Sequence, residues 1–241
     1  MHVCKVWYNL IMALALPELL QIEKGLTAFI GSGGKSALML RLAHALPGTV
    51  LICSTYYYYP YENTAFLSRS HVDERTEEDM LSFLLKENRV VCAGEMVGNG
   101  KLGRPVSSFS RLKALADYIL VEADDAKGLP LKAHEKREPA LPEDADRVIS
   151  VIGALGFMRP VSESVHHPEI FRLLTGCAED ALARPELVAR AHLNEKLTQN
   201  VFVNQVESRA HLVYAEGFVN ATDYKNVIVG SVKNNAYKRY A

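Results

Sequence analysis

Six consecutive residues, Gly31-Ser32-Gly33-Gly34-Lys35-Ser36, bring together the residue types that hold a phosphate. The glycines let the backbone turn so that successive N–H groups converge on one anion. A helix starting immediately afterwards adds the positive end of its dipole. Lys35 supplies a point charge that can reach the β- and γ-phosphates of a nucleotide, and the Ser36 hydroxyl is a ligand for Mg²⁺. Gly31, Ser32, Gly33, Gly34, Lys35 and Ser36 are therefore candidate binding residues for ATP or GTP with Mg²⁺, and Lys35 is also a catalytic candidate. The common spacing GxxxxGK[ST] asks for glycine where Phe29 stands, so this is the shorter GxxGKS form.

Magnesium in a nucleotide site also needs a carboxylate from a neighbouring strand end. The run ILVEADDAKG supplies it, with Glu122 and Asp124 alternating onto one face and Asp125 beyond the strand end. Ser36, Glu122 and Asp124 are the expected metal ligands, and Asp124 is in addition a catalytic candidate for positioning an attacking group. Lys127 and Lys132 follow closely and are candidates to bind an anionic substrate, with a solvated lysine pair as the other reading.

Three further clusters carry chemistry. Asn204-Gln205-Val206-Glu207 approximates the base-reading pattern NKxD, which makes Asn204 and Glu207 candidates for contacts to a purine. His166-His167-Pro168-Glu169 precedes a helical pattern. In a regular strand or helix adjacent side chains diverge, which disfavours a zinc site formed by both rings. His166 is then a candidate for phosphate contact or proton transfer, or a residue making only local bonds at a helix start. The tyrosines Tyr56 to Tyr59 either stack on a flat substrate or wedge beneath the following loop.

The elements that must hold these residues follow from hydrophobic periodicity. LTAFI, TVLICS, VVCAG, YILVEAD, RVISVIGAL, NVFVNQVE and NVIVGS have strand length and contain apolar runs. Helical patterns separate several of them: SALMLRLAHAL, TEEDMLSFLLKENR, RLKALA, a stretch from Pro168 to Leu193 broken near Gly176, and SRAHLVYAEGFV. This alternation predicts an α/β fold, P-loop NTPase-like, with a mostly parallel sheet and helices on both faces. Residues 95–110, rich in glycine and serine, read as a loop. A single P-loop-like α/β domain is expected over residues 1–241, with residues 1–16 as a lead-in and residues 232–241 as a frayed tail.

Composition narrows the partners. The 241 residues are 49% hydrophobic, and glycine (15) and proline (10) are too few for a disordered or collagen-like chain. Lys plus Arg (27) against Asp plus Glu (28) leaves a net charge of −1, with no field to attract a phosphate polymer, so nucleic acid is not an expected partner. Cys4, Cys53, Cys92 and Cys177 are widely spaced without a CxxC pair, which fits a reducing, cytoplasmic compartment. The N-terminal run after Lys5, VWYNLIMALAL, with the small-x-small triplet Ala13-Leu14-Ala15, has the outline of a signal peptide. The alternative is that LIMALALPELL is a short helical lead-in, with Met12 as the start. No other run approaches the ~20 apolar residues of a membrane span, so no membrane partner is expected.

Taken in order, IGSGGKS, STYYYYP, DYILVEADDAKGLPLKA, VIGALG, HHPEIF and VFVNQVE resemble the accessory proteins of selenium-dependent molybdenum hydroxylases, the YqeC-type family. The resemblance runs from about Leu16 to Ser231. It implies a cytoplasmic P-loop protein with an NTP-dependent, Mg²⁺-requiring role in maturing such hydroxylases. Its implied partners are a small-molecule or selenium-carrier substrate and an apo-hydroxylase. The residues it carries over are Gly31, Gly33, Gly34, Lys35, Ser36, Glu122, Asp124, Lys127, Lys132 and His166. Two other functions stay open: a nucleotide-gated assembly factor without a small-molecule product, and ATP-dependent activation of a small acid in the manner of Mur-type ligases.

Overall fold

In the computed structural model, residues 15–240 are described. A short helix α1 (Leu16–Leu19) precedes β1 (Gly25–Gly31), and α2 (Lys35–Ala45) follows after three residues. Next come β2 (Val50–Ser54), the two-residue β3 (Ala65–Phe66), α3 (Glu74–Glu87) and β4 (Val90–Cys92). A small antiparallel hairpin, β5 (Met96–Gly98) and β6 (Lys101–Leu102), leads to α4 (Phe109–Leu112) and β7 (Tyr118–Glu122). The chain continues through β8 (Leu131–Lys132), β9 (Arg147–Gly153), α5 (Val161–Ser164), β10 (Val165–His166), α6 (Pro168–Thr175) and α7 (Pro185–Glu195). It ends with β11 (Asn200–Asn204), α8 (Arg209–Asn220), β12 (Asn226–Ser231) and β13 (Ala236–Tyr240).

Nine strands form one sheet in the order β13-β12-β11-β9-β1-β7-β2-β4-β3. All neighbouring pairs are parallel except β12 with β13. The alternation of strand side chains shows why the central strands read as continuous apolar runs. In β1 and β7, Phe29 and Leu120 pack with Leu38, Met39 and Leu42 of α2, whereas Leu26, Ile30, Ile119 and Val121 pack with Leu81 of α3 and Leu112 of α4. Farther along the sheet, Val203 and Val229 bury against Phe171, Val188 and Phe218 of α6, α7 and α8. Both faces are covered, so neither register of side chains is left to be polar.

Three expectations need correction. The segment 95–110 is not wholly loop, because it contains the β5–β6 hairpin and opens α4. The helix expected over RLKALA begins earlier, at Phe109, where the Ser108 hydroxyl accepts from the Arg111 amide and caps it. The tail is no frayed end, since Ala236–Tyr240 pairs antiparallel with β12. The run AYKRY carries little apolar signal, but Tyr237 lies 6.1 Å from the Phe202 ring and Lys238 lies over Tyr240. A charged edge strand is stabilised by its partner's free backbone groups more than by its own burial. The lead-in beyond residue 15 and Cys4 lie outside the described residues. Cys53, Cys92 and Cys177 are free thiols, and no helix among the described residues is long and apolar enough to cross a membrane.

Candidate functional site

The carboxyl ends of β1, β7 and β9 lie side by side, with Phe29 paired to Glu122 and Gly31 to Val151. Loops leaving the carboxyl edge of a parallel sheet gather where ligands bind. The turn from β1 to α2 is built from left-handed glycines, Gly31 (φ 84), Gly33 (φ 96) and Gly34 (φ 104). Its back is packed against β9, and a Cβ on Gly33 would overlap the Gly153 backbone. The Gly31 amide donates to Asp124 Oδ2 at 2.7 Å and the Ser32 amide to the Val151 carbonyl at 2.8 Å. The amides of Gly33, Gly34, Lys35 and Ser36 have no acceptor among the described residues. Four successive free N–H groups at a helix start are a cradle for an anion.

Lys35 lies beneath this cradle, 4% exposed, its Nζ donating to the Gly31 carbonyl at 2.6 Å. The same ammonium is 2.8 Å from Asp124 Oδ1 and 3.5 Å from Glu122 Oε1, and Ser36 Oγ is 3.4 Å from Glu122 Oε2. Glu122 and Asp124 therefore share a face as expected, but they do different work. Asp124 is enclosed, and its oxygens meet Lys35, the Gly31 amide and His134 Nε2 at 2.8 Å. Burial alone would raise its pKa, yet the His134 hydrogen bond and the charges of Lys35 and Lys132 hold it below the ordinary carboxylate value. In this structure Asp124 is an anchor, engaged by protein groups on both oxygens rather than standing open beside the cradle as its expected ligand and catalytic roles would have it. Burial dominates at Glu122 and raises its pKa, with Lys35 opposing and Asp124 adding. Glu122 and Ser36 remain the pair that could hold Mg²⁺ beside the cradle.

The structure adds a partner that sequence reading missed. His134 Nδ1 lies 3.0 Å from Glu195 Oε2, and its amide donates to Glu195 Oε1 at 2.6 Å, tying the segment after β8 to the end of α7. Burial would lower the His134 pKa, but the hydrogen bonds to Asp124 and Glu195 outweigh it and raise it to about 9. The signal for His134 was its alternation with Lys132 along one extended segment. Nothing local pointed to Glu195, which lies 61 residues away.

Lys132 also needs correction as a substrate binder. Its side chain is fully buried, and its ammonium pairs with Glu138 Oε2 at 2.8 Å, donates to the Asp125 carbonyl and lies 3.8 Å from Asp124. Lys127 is exposed and free of side-chain partners among the described residues, so it alone of the two lysines can meet a ligand. Asn204 is tied into the scaffold of the loop itself. Its Nδ2 donates to the Gly33 carbonyl at 2.8 Å and its Oδ1 accepts from the Val232 amide at 3.0 Å, so it pins the loop to the end of β12. Glu207 faces solvent and pairs with Lys233 at 3.0 Å. His166 stands opposite Lys132 in the β8–β10 pairing. Its ring is buried with neither nitrogen hydrogen-bonded, and burial, with His167, Lys132 and Lys127 nearby, lowers its pKa. Among the tyrosines, Tyr58 is a buried wedge whose hydroxyl reaches the Ile52 and Ala93 carbonyls at 2.9 and 3.0 Å, whereas Tyr57 and Tyr59 are exposed.

The sequence model of the YqeC protein family matches residues 27–169, which contain the cradle, Glu122, Asp124, Lys132, His134 and His166. The chain belongs to the YqeC family. A relative described as "Uncharacterized protein YqeC" from Escherichia coli (strain K12) is 39% identical over 87 residues, 35% of this chain and 34% of the relative. The aligned stretch therefore spans about a third of that relative's length. The YqeC match ends in the first turn of α6, so Glu195 and Asn204, which brace the site from behind, lie beyond it.

Proposed function

We propose that this YqeC protein is a P-loop NTPase-like protein that binds a nucleoside triphosphate with its phosphates in the 31–36 cradle. The observation carrying this reading is the row of unpaired amides from Gly33 to Ser36, directly over a buried lysine. The residues fit a metal-bound triphosphate: Ser36 and Glu122 would hold Mg²⁺, which when bound would neutralise phosphate charge. Lys35 is held in place by Asp124 and balances that carboxylate until a phosphate competes for it. The order of motifs along the chain supports a role as an NTP-dependent accessory factor in maturing selenium-dependent molybdenum hydroxylases, acting in the cytoplasm on a small-molecule or selenium-carrier substrate.

A thermal-shift and calorimetric panel of ATP, GTP, ADP and GDP, each with and without Mg²⁺, tests the reading. A triphosphate with Mg²⁺ should raise the unfolding temperature by mass action, and Ser36→Ala should remove the Mg²⁺ dependence. If none of the four nucleotides shifts the transition or releases heat, the cradle does not serve a nucleotide. Phosphate release on adding apo-hydroxylase extract would extend binding to turnover. Unchanged partner capture between GDP and a non-hydrolysable GTP analogue would remove the gated-assembly alternative.

A further inference from the structure

A second group of ionisable side chains lies where β10 passes into α6, apart from the phosphate cradle. His167 adopts a left-handed backbone (φ 62), which breaks the divergence of neighbouring side chains and sets its ring beside that of His166, the centroids 4.0 Å apart. His167 Nδ1 lies 3.5 Å from Glu135 Oε1 and 3.4 Å from Glu169 Oε1. One donor atom from each of the three residues lies within 4.8 Å of the other two. On the far side of the ring, Nε2 faces Glu138 Oε2 at 3.6 Å, and Glu138 is itself held by Lys132 at 2.8 Å.

These distances have a direct chemical meaning. Bonds of ~2.0–2.2 Å in a tetrahedral arrangement place donor atoms roughly 3.3–3.6 Å apart, the spacing of Nδ1 from both glutamates. A metal-bound imidazole characteristically gives its other N–H to a carboxylate, which fixes the ring and its tautomer; Glu138 lies on that side at 3.6 Å, a charge contact that would have to close to become that hydrogen bond. Glu135 and Glu169 are more than half exposed and could swing into water, yet both converge on one ring nitrogen despite their like charge. Against the same ring packs His166, 7% exposed, with both nitrogens unpartnered among the described residues.

We propose that Glu135, His167 and Glu169 form a site for a divalent first-row transition ion of the Zn²⁺ or Mn²⁺ class, with Glu138 orienting the imidazole from behind. One nitrogen and two carboxylate oxygens suit that class, whereas Mg²⁺ and Ca²⁺ favour oxygen alone. Three protein donors leave a coordination position open for water or an anionic substrate. The site is independent of Mg²⁺ at Ser36 and Glu122 and does not require the nucleotide reading to be right.

Calorimetric titration of the full chain, stripped of metal, with ZnCl₂ and separately MnCl₂ in the absence of nucleotide tests the proposal. One ion per chain is expected, Zn²⁺ tighter than Mn²⁺. Glu135→Gln and Glu169→Gln should each weaken Zn²⁺ binding at least tenfold, and His167→Asn, which tolerates the left-handed backbone, should weaken it further. Glu163→Gln, an exposed side chain on α5, should leave it unchanged. Both glutamates are exposed, so these variants should fold, which circular dichroism and the thermal transition verify. Absence of binding, or binding indifferent to the Glu135 and Glu169 substitutions, overturns the site.

Discussion

Two charge clusters meet at Glu138, and they answer opposite problems. Around Asp124 the groups are buried and matched: Lys35, Lys132 and His134 face Asp124, Glu122, Glu138 and Glu195, and every cation has a carboxylate within hydrogen-bonding reach. Around His167 three carboxylates address a single imidazole at the surface. The inner cluster completes itself and serves as scaffold, holding the cradle in shape. The outer one is short of positive charge and is the place where an added cation would be stabilised. Lys127, exposed and unpaired among the described residues, and Glu122, at the edge of the inner cluster, differ from Lys132 and Asp124, whose charges the fold meets, whereas Lys35 can serve a ligand only by exchanging its pairing with Asp124.

Substitution measures that contrast most strongly at its centre. Asp124→Ala leaves Lys35, Lys132 and His134 without their shared counter-charge and should cost about 3–5 kcal/mol in urea unfolding. A loss under about 1 kcal/mol would mean the inner cluster is not the scaffold described here. Protonation of His134 gives the next effect. Its folded value of about 9 lies above the ordinary 6.5, so its stabilisation is complete below pH 6.5 and is lost as pH rises through 9. Chemical unfolding at a series of pH values from 6 to 10 should fall by roughly 2–4 kcal/mol in the wild type, and His134→Gln should flatten that slope.

A smaller effect is expected in the cradle itself. Gly33→Ala puts a Cβ into the Gly153 backbone at a left-handed φ of 96, and should cost about 1–3 kcal/mol while abolishing any nucleotide-dependent thermal shift. Retention of that shift would detach the cradle's shape from binding. Smallest of all, Glu169→Gln in the outer cluster should change stability by no more than about 0.5 kcal/mol without metal. A large loss there would erase the distinction between the two clusters.

Much of this was legible in advance. The strands were readable because a sheet covered on both faces has almost no polar positions, and α2 was readable because glycine and serine stand at its start and Pro47-Gly48 after its end. The roles of residues inside ILVEADDAKG were less accessible. Alternation puts Glu122 and Asp124 on one face, but only the approach of His134 and the Gly31 amide reveals that one is engaged and the other available. The motif at Asn204 meets the same limit: a side-chain amide at a strand end suits a purine edge and a backbone carbonyl equally well. The tail misled because an edge strand depends on its neighbour rather than on its own hydrophobicity.

By itself the sequence determined the family, the α/β rhythm and the place of the glycine turn between β1 and α2, because each is written in residues adjacent along the chain: a strand, a glycine turn, a lysine, a helix. Tertiary structure alone decided which charges are spent and which are spare. Electrostatic pairing depends on distance through space, and residues such as Glu195 and His134, far apart in the chain, settle the state of Asp124 only once the fold brings them together.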